Sequence, residues 1–125
     1  MSQSPITEGA INVVSEGTVL QGKLIFDQTS RVYGTLLGEV VAKPGSTLIL
    51  SETSVVEGSI QADTLFIDGY VKGDIQATGR VSVSGTGRVI GNIRTPRLVV
   101  EFGAYFEGRT EMENVARIAE KVLAN

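Results

Sequence analysis

A five-residue pattern recurs six times along the chain, in the order apolar, any residue, glycine, polar, apolar. The position two before the glycine is apolar in all six copies, and the position two after it is apolar in five, with Thr110 as the exception. The glycines are Gly22, Gly38, Gly58, Gly73, Gly91 and Gly108. Alternating apolar positions are typical of strands with one face in the core, so the pattern predicts six short strands.

The spacing of these glycines indicates a solenoid. Successive glycines are 15 to 20 residues apart, and further short apolar runs lie between them at 48–50, 65–67, 81–83 and 98–100. A coil of this kind cannot bury its apolar row alone, whereas coils stacked about 4.8 Å apart bury it and pair their backbones. We therefore expect an all-β, single-domain parallel β-helix of about six coils. An antiparallel sandwich is the alternative, but it does not require a repeated register.

The two ends of the chain depart from this repeat. Residues 1–16 are polar and lack a sustained period, which predicts a flexible N-terminal tail. In 111–125, apolar residues recur every three or four positions among charged ones, which predicts a short amphipathic C-terminal α-helix. The β-helix domain is accordingly expected to span 17–110.

Composition argues against catalysis and against nucleic acid. The chain has no histidine and no cysteine, so the commonest general base and the commonest metal ligands are both missing. We predict no catalytic, cofactor or metal site, no small-molecule substrate and no enzyme activity. The net charge of −3 does not suit a phosphate-backbone binder, so nucleic acid is not an expected partner.

Two classes of β-helix enzyme are alternatives to a structural protein. Hexapeptide-repeat acyltransferases and related carbonic anhydrases are also β-helices, but their chemistry relies on histidine. Polysaccharide lyases need clustered carboxylates, for which Asp63, Asp68 and Asp74 are the densest group; solvated turns explain these residues better. No secretory signal or stretch of roughly 20 apolar residues is visible, so we expect a cytoplasmic protein with at most peripheral membrane contact.

Residues 91–108 resemble the C-terminal signature of the bactofilins. The similarity lies in the Thr-Pro-Arg-Leu step at 95–98, then Gly-Ala at 103–104, Phe-x-Gly at 106–108 and Met112. The resemblance covers roughly 17–112 and implies a right-handed, three-sided β-helix that polymerises end to end into nonpolar filaments without nucleotide. It also implies a cytoskeletal scaffold that helps to place cell-wall or cell-shape proteins, at the inner face of the membrane in some members. Residues 1–10 do not reproduce the membrane-targeting stretch of those members.

Self-assembly is also expected on physical grounds, because the end coils of a β-helix expose unpaired strand edges and apolar core. Lateral contacts between filaments are a further expectation for Leu37 and Ile90, which point outward by parity. An alternative is that Phe106 fills a core position, and another is a capped β-helix that binds proteins as an adaptor. The predicted interface residues are Phe102, Tyr105 and Phe106 at the C-terminal end and Leu20, Leu24 and Phe26 at the N-terminal end.

Overall fold

The computed structural model describes residues 11–111, which form ten β-strands. All strand pairings in this range are parallel. No helix within it has the length and apolar character needed to cross a membrane. The strands are β1 (Ile11–Val14), β2 (Val19–Phe26), β3 (Thr29–Val32), β4 (Thr35–Ala42), β5 (Thr47–Leu50), β6 (Val55–Ile67), β7 (Tyr70–Val83), β8 (Arg88–Arg94), β9 (Leu98–Val100) and β10 (Tyr105–Glu111).

The strands wind into six stacked coils, so the predicted all-β solenoid is confirmed. Coils 1 and 2 consist of β1–β2 and β3–β4, and coil 6 of β9–β10. The long strands β6 and β7 each run from one coil into the next, because β6 pairs with both β4 and β5 on one side and β7 on the other. In numbers, coils 1 to 6 span 11–26, 29–42, 47–62, 64–77, 80–94 and 98–111.

The repeated glycine forms one corner of every coil. In coil 3, Val56 and Ile60 on either side of Gly58 are both buried, although strict alternation over four residues would also point position 58 inward. The glycine takes a φ of 134°, which interrupts the alternation at this position and bends the strand. A Cβ on Gly58 would overlap the carbonyl oxygen of Gly38 in the preceding coil. The corner therefore has no room for a side chain.

The other two corners absorb the variation in repeat length. The corner between the 29–32 and 35–42 strands has two residues, whereas the equivalent corner at 51–54 has four. The corner that precedes β5 has four residues, 43–46, but in coil 4 it shrinks to Asp63 alone, where the register between β6 and β7 shifts. Strand registers stay constant because all insertions fall at these two corners.

The core consists of columns of aliphatic side chains that run along the solenoid. Val56, Val71 and Val89 lie in register, as the sequence pattern predicts, and all three are fully buried. The parallel column of isoleucines behaves in the same way and contains Ile60, Ile75 and Ile93. Burying side chains of this size contributes about 1.5 to 3 kcal/mol each, so these columns supply the main stabilisation of the stack.

A third inward column holds small side chains and accounts for the threonine of the Thr-Pro-Arg-Leu step. Ala62 and Ala77 are in register and buried beside a corner. Thr95 follows at the same place in coil 5 and is also buried. Its hydroxyl donates to the Arg97 carbonyl at 2.9 Å and accepts from the Arg97 N–H at 3.3 Å. The threonine thus closes the tight corner around Pro96 from within the core.

Replacing Ser46 by alanine should raise the free energy of unfolding by about 1 kcal/mol. The Ser46 Oγ is buried and has no hydrogen-bond partner within the described residues, so its desolvation is uncompensated. Ser54 provides the matched control, because its equally buried Oγ donates to the Ser51 carbonyl at 2.7 Å. Urea unfolding should show Ser46→Ala stabilised and Ser54→Ala destabilised; equal losses would contradict this interpretation.

The strands extend beyond the predicted domain boundaries at both ends. β1 begins at Ile11 and pairs with β3, so part of the predicted tail at 1–16 belongs to the β-helix. Glu111 is the last residue of β10 and its carboxylate pairs with Arg94 at 2.7 Å, so it is not part of a helix. The predicted C-terminal helix is not supported, and 112–125 lie outside the described residues, as do 1–10.

Candidate assembly surfaces

Residues 59–61, 74–76, 92–94 and 109–111 line a groove on one side of the β-helix. The groove has a volume of about 490 Å³ and crosses coils 3 to 6, and two pairs of its polar side chains bind each other. Asn92 donates to Asp74 at 3.3 Å, and Arg94 pairs with Glu111. No cluster of three or more potential metal ligands occurs within 11–111. The two ends of the solenoid are the more unusual surfaces.

The C-terminal end of the described residues exposes several apolar side chains. Phe102 lies in the four-residue corner of coil 6 and is fully exposed, at 102% of its reference area. Val99, Val100 and Tyr105 are each exposed by 44 to 46%. Isolated exposed apolar residues are common, but four within one terminal coil concentrate apolar surface at this end, as is typical of interaction surfaces.

Phe106 occupies a core column as well as the open end. It is in register with Val89, which in turn lies over Val71, so it holds the core position that the alternative interpretation assigned to it. It is only half-buried, because no described coil covers its other side. The neighbouring inward residue Leu98 is half-buried for the same reason. Within residues 11–111, coil 6 therefore has no coil over the outer end of its core.

The phenol of Tyr105 is tied to the same end coil. Its hydroxyl donates to Glu107 Oε1 at 2.6 Å. This hydrogen bond, followed by the negative charge of Glu107, raises the pKa of Tyr105 above its ordinary value. The phenol thus remains neutral at physiological pH, and its hydroxyl group is hydrogen-bonded to a neighbour in the same coil.

At the N-terminal end, no described coil covers the outer side of coil 1. Three inward residues of this coil are half-buried and pack against the core, as expected for a first coil: Leu20, Leu24 and Phe26. Val19 and Ile25 point outward and are about 60% exposed. The pattern alone does not single out these two residues, because an exposed apolar position attracts notice only when its coil is known to be terminal.

Unpaired backbone accompanies the apolar surface at both ends. Within the described residues, β10 pairs with β8 and β9 with β7, so the far edge of coil 6 has no strand beside it. Likewise β1 pairs with β3 and β2 with β4, which leaves the near edge of coil 1 open. Free edges of this kind readily pair with further strands.

Leu37 and Ile90 share one outward column on a side of the β-helix. Leu37 is in register with Glu57, Glu57 with Lys72, and Lys72 with Ile90. Both apolar side chains are half-buried. They are three coils apart, so two charged residues separate them.

The family described as "Bactofilin: polymer-forming cytoskeletal" matches residues 12–111. This range spans all six coils. The chain belongs to the bactofilin family. Bactofilins are structural proteins of the cytoskeleton, and the polymer-forming description of the family implies self-association. The surfaces at the two ends of the solenoid are therefore candidates for that association in this bactofilin.

Two bactofilins of Myxococcus xanthus (strain DK1622) are similar to the chain. Bactofilin BacP is 34% identical over 103 residues, which cover 82% of the chain but 42% of BacP. Bactofilin BacO is 31% identical over 104 residues, which cover 83% of the chain and 81% of BacO. The chain thus spans less than half of BacP and most of BacO. No solved structure matches the chain.

Proposed function

We propose that this bactofilin forms filaments by stacking β-helices end to end, without nucleotide. The observation that supports this most strongly is the uncovered last coil, where Phe106 and Leu98 lie half-exposed in core columns beside the fully exposed Phe102. A further coil placed on this end would bury all three side chains. It would also pair the free edges of β9 and β10.

The N-terminal coil supplies the second contact that a filament needs. Leu20, Leu24 and Phe26 are covered by coil 2 on one side only. A chain with a single adhesive end would stop at a dimer, whereas two adhesive ends allow growth. Both contacts need only groups of the end coils, so nucleotide hydrolysis has no role in the proposed assembly.

The proposed role in the cell is that of a scaffold. A β-helix filament is stiff and displays the same side faces at every subunit, so proteins of cell-wall synthesis or morphogenesis can be held along it at regular intervals. We place this scaffold in the cytoplasm, with at most peripheral contact with the inner face of the membrane. Shape defects and dispersed partners in cells that lack the protein would support this role.

Sedimentation of the purified protein tests the assembly step. We expect most of the protein to pellet at high speed in buffer free of nucleotide, and added ATP or GTP should leave the pelleted fraction unchanged. Negative-stain images of the pellet should show unbranched filaments. If the protein remained monomeric at all concentrations, end-to-end stacking would be excluded and the capped adaptor would become the better account.

A further inference from the structure

One side of the solenoid has a charge and shape pattern that matches itself. This lateral face is formed by the outward side chains of 19–21, 35–37, 55–57, 70–72, 88–90 and 105–107. Its first column holds one residue from each coil and is in register throughout. From coil 1 to coil 6 the column contains Gln21, Leu37, Glu57, Lys72, Ile90 and Glu107.

The column is self-complementary when two copies face each other with opposite axis directions. A twofold axis along the strand direction keeps the column in place and sets coil 1 against coil 6, coil 2 against coil 5 and coil 3 against coil 4. Leu37 then meets Ile90 of the second copy, and Glu57 meets Lys72. Glu57 and Lys72 are exposed and make no ion pair within residues 11–111, so both are available.

The second column of the lateral face matches under the same operation. Val19 in coil 1 meets Tyr105 of coil 6; both side chains are largely exposed, at 61% and 46%. Val55 in coil 3 meets the half-buried Tyr70 of coil 4. All apolar residues of this column are therefore placed against apolar or aromatic partners.

Other arrangements of the same faces are unfavourable. An antiparallel pair shifted by one coil places Glu57 on Glu57 in one direction, or Lys72 on Lys72 in the other. A parallel pair requires a twofold axis along the solenoid, which exchanges the two columns. Glu57 then faces Val55, and Lys72 faces Tyr70, so neither charge meets an opposite charge on the second copy. The antiparallel pair with coil 3 against coil 4 is favoured.

We infer that two copies of this chain associate side by side through the lateral face, antiparallel and in this register. The face measures about 10 Å by 29 Å, so the pair buries roughly 600 Å² in total, well below the ~1,200 Å² of a typical stable complex. Two single chains consequently pair weakly. In filaments the contact recurs at every subunit, which raises the effective affinity and makes paired filaments the stable form. This inference rests on the proposed end-to-end assembly.

Reversing one charge at a time tests the register. Glu57→Lys alone and Lys72→Glu alone each set like charges opposite one another, so each variant should form single filaments, with the paired fraction in electron micrographs falling at least about tenfold. An equal mixture of the two variants restores both opposite-charge contacts and should restore pairing, as should the double variant. Gln76→Lys, which adds a charge on a different side of coil 4, should pair normally.

A cysteine experiment gives an independent readout, because the chain contains no cysteine. Oxidising a mixture of Leu37→Cys and Ile90→Cys chains should yield disulfide-linked dimers, whereas a mixture of Leu37→Cys and Thr35→Cys, which a parallel pair would join, should not. Filaments that stay single in the unmodified protein, or pairing that survives both charge reversals, would overturn the lateral contact while leaving end-to-end assembly standing. Lateral pairs of chains that do not polymerise would support the lateral contact and exclude end-to-end assembly.

Discussion

Phe102→Arg will abolish long filaments and leave the folded chain as stable as the parent. Phe102 is fully exposed, so the substitution should change the free energy of unfolding by less than about 0.5 kcal/mol. In a filament, however, the guanidinium would be buried at an apolar contact without a partner, at a cost of about 3 to 5 kcal/mol. That cost corresponds to a rise of roughly 100-fold or more in the concentration needed for assembly.

Two further variants make this test specific. Gln76→Arg adds the same group to an exposed position on the side of coil 4 and should leave sedimentation unchanged. Phe106→Arg should also abolish filaments, but at a cost in stability, because Phe106 is half-buried in the column of Val89. Normal filaments in Phe102→Arg, with urea unfolding unaltered, would show that this end takes no part in assembly.

Gly73→Ala should unfold the β-helix or destabilise it by at least ~4 kcal/mol. A Cβ at this position would overlap the carbonyl oxygen of Gly58 in the coil before it, and the two coils are held in register on either side of the glycine. Relief would require the coils to separate, which breaks strand pairing and opens the valine and isoleucine columns. Circular dichroism and urea unfolding measure the effect.

Gly22 provides the control within the same column. Its φ of 115° is as unfavourable for alanine as that of the other glycines, yet a Cβ there has no neighbour within 4 Å. Gly22→Ala should therefore cost only the backbone strain, about 1 to 3 kcal/mol. If Gly22→Ala and Gly73→Ala were equally destabilising, backbone strain alone would explain the glycine column, and contact between coils would have no part in it.

The sequence pattern predicts the core columns well because strand alternation and glycine spacing are local signals. The valines at 56, 71 and 89 needed only alignment on the nearest glycine to be placed over one another. The number of coils follows in the same way. The corner lengths, by contrast, depend on how each turn meets the coil before it, as at Asp63, where the register between β6 and β7 shifts.

The ends are harder to predict because burial there depends on which coil is terminal. Phe106 has the same local pattern as the buried Val89, and only its place in coil 6 leaves it half-exposed. β1 escapes notice because Ile11–Val14 lies in an otherwise polar segment, so only its pairing with β3 identifies it. Apolar character and parity thus identify the residues proposed for assembly. Only the three-dimensional stack shows how far each of them is exposed.

Electron cryo-microscopy of filaments grown without nucleotide tests end-to-end stacking most directly. The filaments should show a continuous stack of β-strands spaced about 4.8 Å along their axis, with a subunit length of about 29 Å for six coils. Phe102 and Phe106 should lie at a junction between subunits. Strands that run along the filament axis, or subunits joined only through their sides with both end coils facing solvent, would contradict end-to-end stacking.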